Sequence, residues 1–321
     1  MPSILLASQR NPVRILNQVR MRHSQSRKLT LLVEGPSDRK FFLNWLREEQ
    51  LRVEPLQGRQ QVEAVWRLAC KQPIQPSLIC LVDLDYDQLL GRELVKHERF
   101  IYVSARSLEE EAEANDLEGV LVRSDALRKL FYEKLPEKIL DEQEDLVAYL
   151  KQQREALRKA ASQIGAYRAA AQFFYNEFHR GYWDRDALQI GAAEFLDPPT
   201  LQIQEDKLRE IVVASALHKP DHDWMVNRAQ QLFAEYGSGW NLCRGHDLSK
   251  LLALHLNALG WENLSQADVE SLLRASFETA MVQQTKFGQC FMELEKKLRK
   301  ALLRWRFDCL KWNGVNFATK Y

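Results

Sequence analysis

The stretch LTLLVEGPSDRKFFLNWL, residues 29–46, indicates the class of fold. It opens with LTLLV, an apolar run of strand length. After Glu34 and Gly35 it continues into a segment whose large apolar residues recur at helical spacing, with Ser37 as the predicted N-cap. The run is continuous rather than alternating, which is typical of a strand buried on both faces of a parallel sheet. The stretch therefore predicts a strand followed by a helix.

Two further apolar runs have the same character, LICLV at 78–82 and FIYV at 100–103. Between the first and second runs lie a weaker strand segment, VEPL at 53–56, and a short helical segment, VEAVWRLAC at 62–70. The order of strand, helix, strand, helix and strand requires right-handed crossovers between parallel strands. We expect an α/β fold with a mainly parallel sheet flanked by helices.

Helical patterns dominate from about residue 120 onward. Residues 146–180 predict one or two long helices, and the proline-containing segment at 181–199 predicts a loop. Further helices are predicted at 204–217, 222–235, 247–258, 265–277 (with Ser265 and Asp268 as a capping box) and 279–309. The predicted organisation is a basic N-terminal segment at 1–27, a catalytic core at 28–120, a large helical insertion at 121–240 and a C-terminal helical region at 241–321.

The composition is that of a globular protein with one local excess of positive charge. The chain has 321 residues, of which 45% are hydrophobic and 28% are charged, and its net charge is +1. Residues 1–33 contain no Asp or Glu and carry six basic residues: Arg10, Arg14, Arg20, Arg22, Arg27 and Lys28. A nucleic-acid contact would have to use a local patch of this kind.

Cysteine usage and hydropathy indicate the cellular compartment of the protein. The five cysteines form no CxxC pair and are odd in number, so neither a disulfide framework nor a zinc knuckle is indicated. No apolar run approaches the roughly 18 residues of a membrane span, and the ILLAS stretch at 4–8 is too brief for a signal-peptide core. We expect a cytoplasmic protein with reduced thiols and no membrane contact.

Acidic residues follow two of the predicted strands. Glu34 follows the first, and Asp83, Asp85 and Asp87 follow the second strong run. Open α/β sheets place their sites at the carboxyl ends of strands, and residues two apart in an extended chain point to the same side. Crowded carboxylates repel one another unless a cation neutralises them, and Mg²⁺ or Mn²⁺ prefers such oxygen ligands. We therefore predict a metal site.

Two other interpretations of these acids exist. A single acid after a buried strand is often a loop residue or the N-cap of the next helix, but a Glu-Gly after one strand together with a DxD after another favours a site. LICLVDLD also resembles a Walker B strand. That interpretation fails because the chain contains no GxxxxGK[ST] loop.

The same residues resemble a known signature. LLVEGPSD at 31–38 followed by LVDLDYD at 81–87 is similar to the TOPRIM signature of type IA topoisomerases, primases and overcoming-lysogenization-defect nucleases. The closer resemblance is to the DUF4435 family, which includes the effector of the PARIS anti-phage defence system. SARSLEEEAEA at 104–114 and LCRGHDLSKLL at 242–252 resemble two further segments of that family. The resemblance extends from about residue 28 to about residue 260.

This resemblance implies a TOPRIM-type sheet and a Mg²⁺-dependent nuclease effector, held inactive by an ABC-type, AriA-like ATPase sensor and released to cleave host tRNA. By position it makes Glu34 a general acid/base or metal ligand, makes Asp83 and Asp85 Mg²⁺ ligands, and lets Glu109 support a second ion. Glu110 stands where the family usually has a Glu-Asn pair. A homodimer is expected for the active form. A DNA-nicking TOPRIM enzyme and an inert TOPRIM regulatory subunit are the alternatives.

Basic residues outside the acidic cluster are candidates for substrate binding. Arg244 and His246 could position a phosphate or assist proton transfer, whereas Asp247 is equally well explained as a helix N-cap. HKPDHD at 218–223 is interpreted as a surface turn because Pro220 separates its histidines. KKLRKALLRWRF at 296–307 contributes Lys296 and Lys300 as phosphate contacts, with Trp305 expected in the core.

Overall fold

The structure is a computed structural model that describes residues 11–104, 115–135, 145–178, 191–215, 220–261 and 263–303. Contacts divide the chain into two compact units. The first, here called the sheet unit, comprises residues 1–83, 95–103 and 282–321. The second, here called the helical unit, comprises residues 84–94 and 104–281. The boundaries of these two units differ from those of the four segments predicted from the sequence.

The sheet unit is built on a four-stranded, all-parallel sheet. Its strands are β1 (Leu29–Val33), β2 (Leu51–Pro55), β3 (Leu78–Asp83) and β4 (Phe100–Val103), in the order β2-β1-β3-β4. All five residues of β1 are buried, as the continuous apolar run predicts. The predicted α/β class and parallel sheet are confirmed, and the three strong runs and the weaker one are all strands.

Four helices of the sheet unit are α1 (Pro12–Ser26), α2 (Pro36–Leu43), α3 (Arg59–Ala69) and α12 (Lys286–Leu298). The Asn11 side chain caps α1, which buries Ile15, Leu16 and Val19 in a core shared with α3 and the sheet. The basic N-terminal segment is therefore anchored to the unit by an apolar face. In its described part, Arg14, Arg20 and Arg27 are exposed.

The predicted cap of α2 is wrong by two residues. Gly35, not Ser37, is the N-cap, and Pro36 is the first helical residue. The Asp38 carboxylate accepts the Gly35 N–H at 2.9 Å, and proline fits the first helical position because that position needs no N–H partner. Only Glu34 and Gly35 therefore separate β1 from α2.

The helical unit contains two 2-residue strands and most of the remaining helices. Its elements are α4 (Leu117–Arg123), α5 (Asp125–Lys134), α6 (Leu146–Phe178), β5 (Leu196–Asp197), β6 (Gln202–Ile203), α7 (Glu205–Ser215), α8 (Pro220–Tyr236), α9 (Gly245–Ala258) and α10 (Gln266–Ser276). Residues 146–178 form one long helix, and the Ser265–Asp268 capping box is confirmed. The surface turn predicted at 218–223 is wrong from Pro220 onward, because this proline starts α8.

The predicted final helix at 279–309 is also corrected. It is divided into α11 (Thr279–Gln284) and α12, separated by Thr285, whose hydroxyl accepts the Gly288 N–H at 3.0 Å. Arg299 adopts the left-handed conformation (φ 51°) and ends α12. Trp305 lies outside the described residues. Within the described ranges, no helix has both the length and the apolar character that a bilayer span needs.

Candidate site at the carboxyl edge of the sheet

Glu34 and Asp83 meet at the carboxyl edge of the sheet. Glu34 directly follows β1 and Asp83 ends β3, and these two strands are parallel neighbours. The backbone N–H of Asp83 donates a hydrogen bond to Oε1 of Glu34 at 2.9 Å. Both residues are partly exposed. The structure thus brings together two of the acids that the sequence places at strand ends.

Main-chain contacts fix Glu34 from the neighbouring strand. The Gly58 N–H, after β2, donates to the Glu34 carbonyl oxygen at 2.9 Å. Gly58 has φ 87°, a conformation that side chains disfavour, so glycine suits this turn. Glu34 is therefore held on both sides, by its carbonyl oxygen to Gly58 and by its carboxylate to Asp83.

A buried guanidinium group lies behind this edge. Arg59 is only 5% exposed; its Nη1 donates to the Asp83 carbonyl oxygen at 3.1 Å and its Nε donates to Glu63 at 2.8 Å. The guanidinium also stacks over the Tyr102 ring at 5.5 Å. Arg59 was not singled out from the sequence. Its position after β2, at the same edge as the acids, is the signal that could have found it.

Asp85 and Asp87 belong to the helical unit. The expected extended alternation over Asp83, Asp85 and Asp87 is wrong, because β3 ends at Asp83 and Asp85 has φ 51°. Asp tolerates the left-handed region better than most residues, and such conformations are enriched at functional sites. The Asp85 N–H donates to the carbonyl oxygen of Asn115 at 2.7 Å. The chain makes this hydrogen bond two residues after the end of β3.

Asp87 is buried, and its Oδ1 lies 3.1 Å from Nη1 of Arg92. Its carboxylate therefore already has a cationic neighbour, which weakens the case for it as a metal ligand. Glu109 and Glu110 lie outside the described residues.

In the described part of the chain, no three His, Cys, Asp or Glu side chains are already gathered as a metal site. Glu34 and Asp83 nevertheless fit Mg²⁺, which keeps several waters and is commonly bound by one or two carboxylates. Metal binding by Glu34, Asp83, Asp85, Asp87 and Glu109 remains a prediction.

A buried acidic network in the helical unit was missed by the sequence reasoning. Asp116 caps α4 through Gly119 N–H (2.9 Å) and accepts the Gly245 N–H at 2.5 Å. A Cβ at Gly245 would lie 2.4 Å from Oδ1 of Asp116, so only glycine fits there. Burial, together with the nearby charge of Glu118, raises the pKa of Asp116 to about 7, although the two backbone hydrogen bonds oppose that rise.

Glu118 is buried and forms an ion pair with Arg274. A local signal exists for Asp116, an N-cap residue before an apolar turn. Its partner Gly245 is 129 residues away, and Arg274 is 156 residues from Glu118, so no local pattern could pair them.

His246 is held by a buried acid. Its Nδ1 lies 2.8 Å from Oε1 of Glu270, which also accepts hydrogen bonds from Ser249 (3.0 Å) and Gln266 (2.8 Å). The hydrogen bond to Glu270 raises the pKa of His246. Burial alone would raise the pKa of Glu270, but the bonds from its three partners lower it to about 2. The pair therefore favours an imidazolium beside a carboxylate.

The remaining candidates near α9, Arg244 and Asp247, have different roles at the start of this helix. Arg244 occupies the N-cap position, and Asp247 is the third residue of the helix, so the N-cap interpretation of Asp247 is wrong. Its carboxylate forms a two-bond ion pair with Arg168, at 2.6 and 2.8 Å, and both side chains are largely buried. Phosphate binding by Arg244 and His246 remains a prediction.

The basic C-terminal candidates lie in the sheet unit. Lys296 is exposed on α12, and Nζ of Lys300 donates to the carbonyl oxygen of Arg27 at 3.4 Å. Lys297 pairs with Glu98. The Lys300 side chain therefore contacts the backbone of the basic N-terminal segment.

Comparison of the chain with models of protein families found no matching family, and comparison with curated proteins found no matching relative. The TOPRIM and DUF4435 resemblance is therefore carried into the next section as a proposal.

Proposed function

We propose that this chain is a metal-dependent endonuclease of the TOPRIM type, with Glu34 and Asp83 at its centre. The observation that carries the proposal is the 2.9 Å hydrogen bond between the Glu34 carboxylate and the Asp83 backbone. Two acids from neighbouring parallel strands thus stand together where α/β enzymes hold their sites.

In this proposal Asp83 and Glu34 would hold Mg²⁺ or Mn²⁺. When bound, the ion supplies Lewis acidity for phosphodiester cleavage. Glu34, oriented by the Asp83 N–H, takes the proton of the attacking water. Arg59 fixes the Asp83 backbone through its hydrogen bond to the carbonyl oxygen, and so keeps the edge in place.

The substrate and biological role rest on the resemblance alone. We propose cleavage of tRNA by a cytoplasmic toxic effector of the AriB kind, held inactive by an ABC-type ATPase sensor and active as a homodimer.

The test incubates the purified full chain with total tRNA and with plasmid DNA, with Mg²⁺ or with chelator. We expect Mg²⁺-dependent cleavage of tRNA. Glu34→Gln and Asp83→Asn should each reduce it by more than about a hundredfold, because changes to supporting residues around a metal already cost roughly 10–100-fold. Glu49→Gln, a matched change of an exposed acid in the same unit, should cleave as the unaltered chain does.

The other outcomes of this experiment distinguish the alternative functions. Cutting of plasmid but not tRNA moves the chain to the DNA-nicking class. Cleavage that persists in chelator contradicts the metal mechanism and directs attention to His246. No cleavage of either polymer favours the inert regulatory subunit.

A further inference from the structure

A groove of about 640 Å³ runs along β2 in the sheet unit. We call it the β2 groove, and it is lined by all of β2 (Leu51–Pro55) and by segments of α1, β1 and α2. Its charged lining residues are Arg22, Lys28, Arg39, Arg52, Glu48 and Glu54. Four cations against two carboxylates leave the lining with an excess of positive charge.

The charged contacts show where this excess lies. Glu54 is shared by Arg22 (2.7 Å) and Arg52 (3.1 Å), so one carboxylate offsets two guanidinium groups. Nζ of Lys28 donates to the backbone carbonyl of Glu48 rather than to a carboxylate. Arg39 is exposed on α2. The groove is thus suited to an anionic occupant.

Further cations border the groove. Arg27 is exposed and stands between the lining residues Ser26 and Lys28. Lys300 contacts the Arg27 carbonyl oxygen, so the basic stretch after α12 reaches the same border. Arg27 and Lys300 therefore add positive charge at one border of the groove.

The groove leads toward the candidate site. β2 is the outermost strand of the four-stranded sheet, and its last residue, Pro55, is in register with Val33, the residue before Glu34. Arg39 projects from α2, which starts directly after the Glu34–Gly35 turn. A polymer lying along β2 would run toward the end of the sheet that carries Glu34.

We infer that the β2 groove binds the phosphate backbone of RNA and guides the strand to the Glu34–Asp83 edge. The guiding role rests on the proposed nuclease function, whereas the binding of a polyanion does not. Cationic tracks of this kind bind nucleic acid with an affinity that falls steeply with salt, because each neutralised phosphate releases counterions.

The experiment measures binding of fluorescently labelled tRNA to the full chain by anisotropy, in chelator, over a series of salt concentrations. Arg39→Gln is compared with Lys40→Gln. These neighbours on α2 are both exposed and lose the same charge, but only Arg39 lines the groove. We expect Arg39→Gln to bind severalfold more weakly, with the slope of log affinity against log salt shallower by about 0.7–1. Lys40→Gln should bind as the unaltered chain does.

A double variant tests whether the groove residues act together. Arg39→Gln combined with Arg52→Gln should weaken binding more than Arg39→Gln alone. Equal affinity and equal salt slope for Arg39→Gln and Lys40→Gln would overturn the inference.

Failure of this inference is distinguishable from failure of the proposed function. Groove-dependent binding without cleavage under any metal condition contradicts the nuclease proposal only. Metal-dependent cleavage by Arg39→Gln with an unchanged KM contradicts only the inference that the β2 groove binds RNA.

Discussion

Three acidic side chains of the helical unit are held differently from Glu34 at the edge of the sheet. In the helical unit, Asp247 pairs with Arg168, Glu118 with Arg274 and Glu270 with His246. At the edge of the sheet, the Glu34 carboxylate accepts a backbone N–H from the adjacent strand. A carboxylate matched to a buried guanidinium belongs to the framework of the fold, since its loss leaves a buried charge uncompensated. The Glu34 hydrogen bond differs in one respect, because the neutral amide of a glutamine can still accept the main-chain N–H.

The largest expected difference is in stability. Asp247→Asn should lower the free energy of unfolding by about 3–5 kcal/mol, because the largely buried Arg168 loses the negative charge of this carboxylate. Glu34→Gln, the matched carboxylate-to-amide change, should alter it by less than about 1 kcal/mol, because the amide oxygen can still accept the Asp83 N–H. Denaturant titration of both variants measures the difference.

The control for this prediction is the double variant Arg168→Met with Asp247→Leu. Removing both charges should restore part of the stability lost in Asp247→Asn. Equal destabilisation by Asp247→Asn and Glu34→Gln would contradict the distinction between the two regions.

A smaller, pH-dependent effect is expected at His246. The raised pKa means that its contribution to stability is fully present below about 6.5 and is lost as pH rises through the folded value. The Glu270 contribution is present above about 4.5 and is lost as pH falls toward about 2. Glu118 and Arg244 also act on His246, in opposite directions. Because the His246 side chain is 52% exposed, solvent limits the effect to at most about 1 kcal/mol.

The measurement compares unfolding free energies of the unaltered chain and His246→Gln at pH 6 and pH 9. The difference should be larger at pH 6. Glu270→Gln should lower the pKa of His246 in an NMR titration, and an unmoved imidazole pKa would show that Glu270 does not hold it.

The sequence predicted those features that depend on neighbouring residues. Continuous apolar runs predicted the strands, and Ser265 with Asp268 predicted a cap, since both signals lie within a few residues. The extended conformation predicted after Asp83 was wrong: Asp85 turns there, and its N–H donates to the carbonyl oxygen of Asn115, a residue remote in sequence. The Arg168–Asp247 pair and the Lys300–Arg27 contact join residues 79 and 273 positions apart, beyond the reach of any local pattern.

The central claim is that Glu34 and Asp83 bind a divalent cation. Isothermal titration of the apo chain with Mn²⁺ tests it directly, independently of substrate. The unaltered chain and Glu49→Gln should bind Mn²⁺ with the same stoichiometry and affinity. Glu34→Gln and Asp83→Asn should each bind it at least about tenfold more weakly, because each removes a charged oxygen ligand from a hard cation. Binding that is identical in all four proteins would contradict the account.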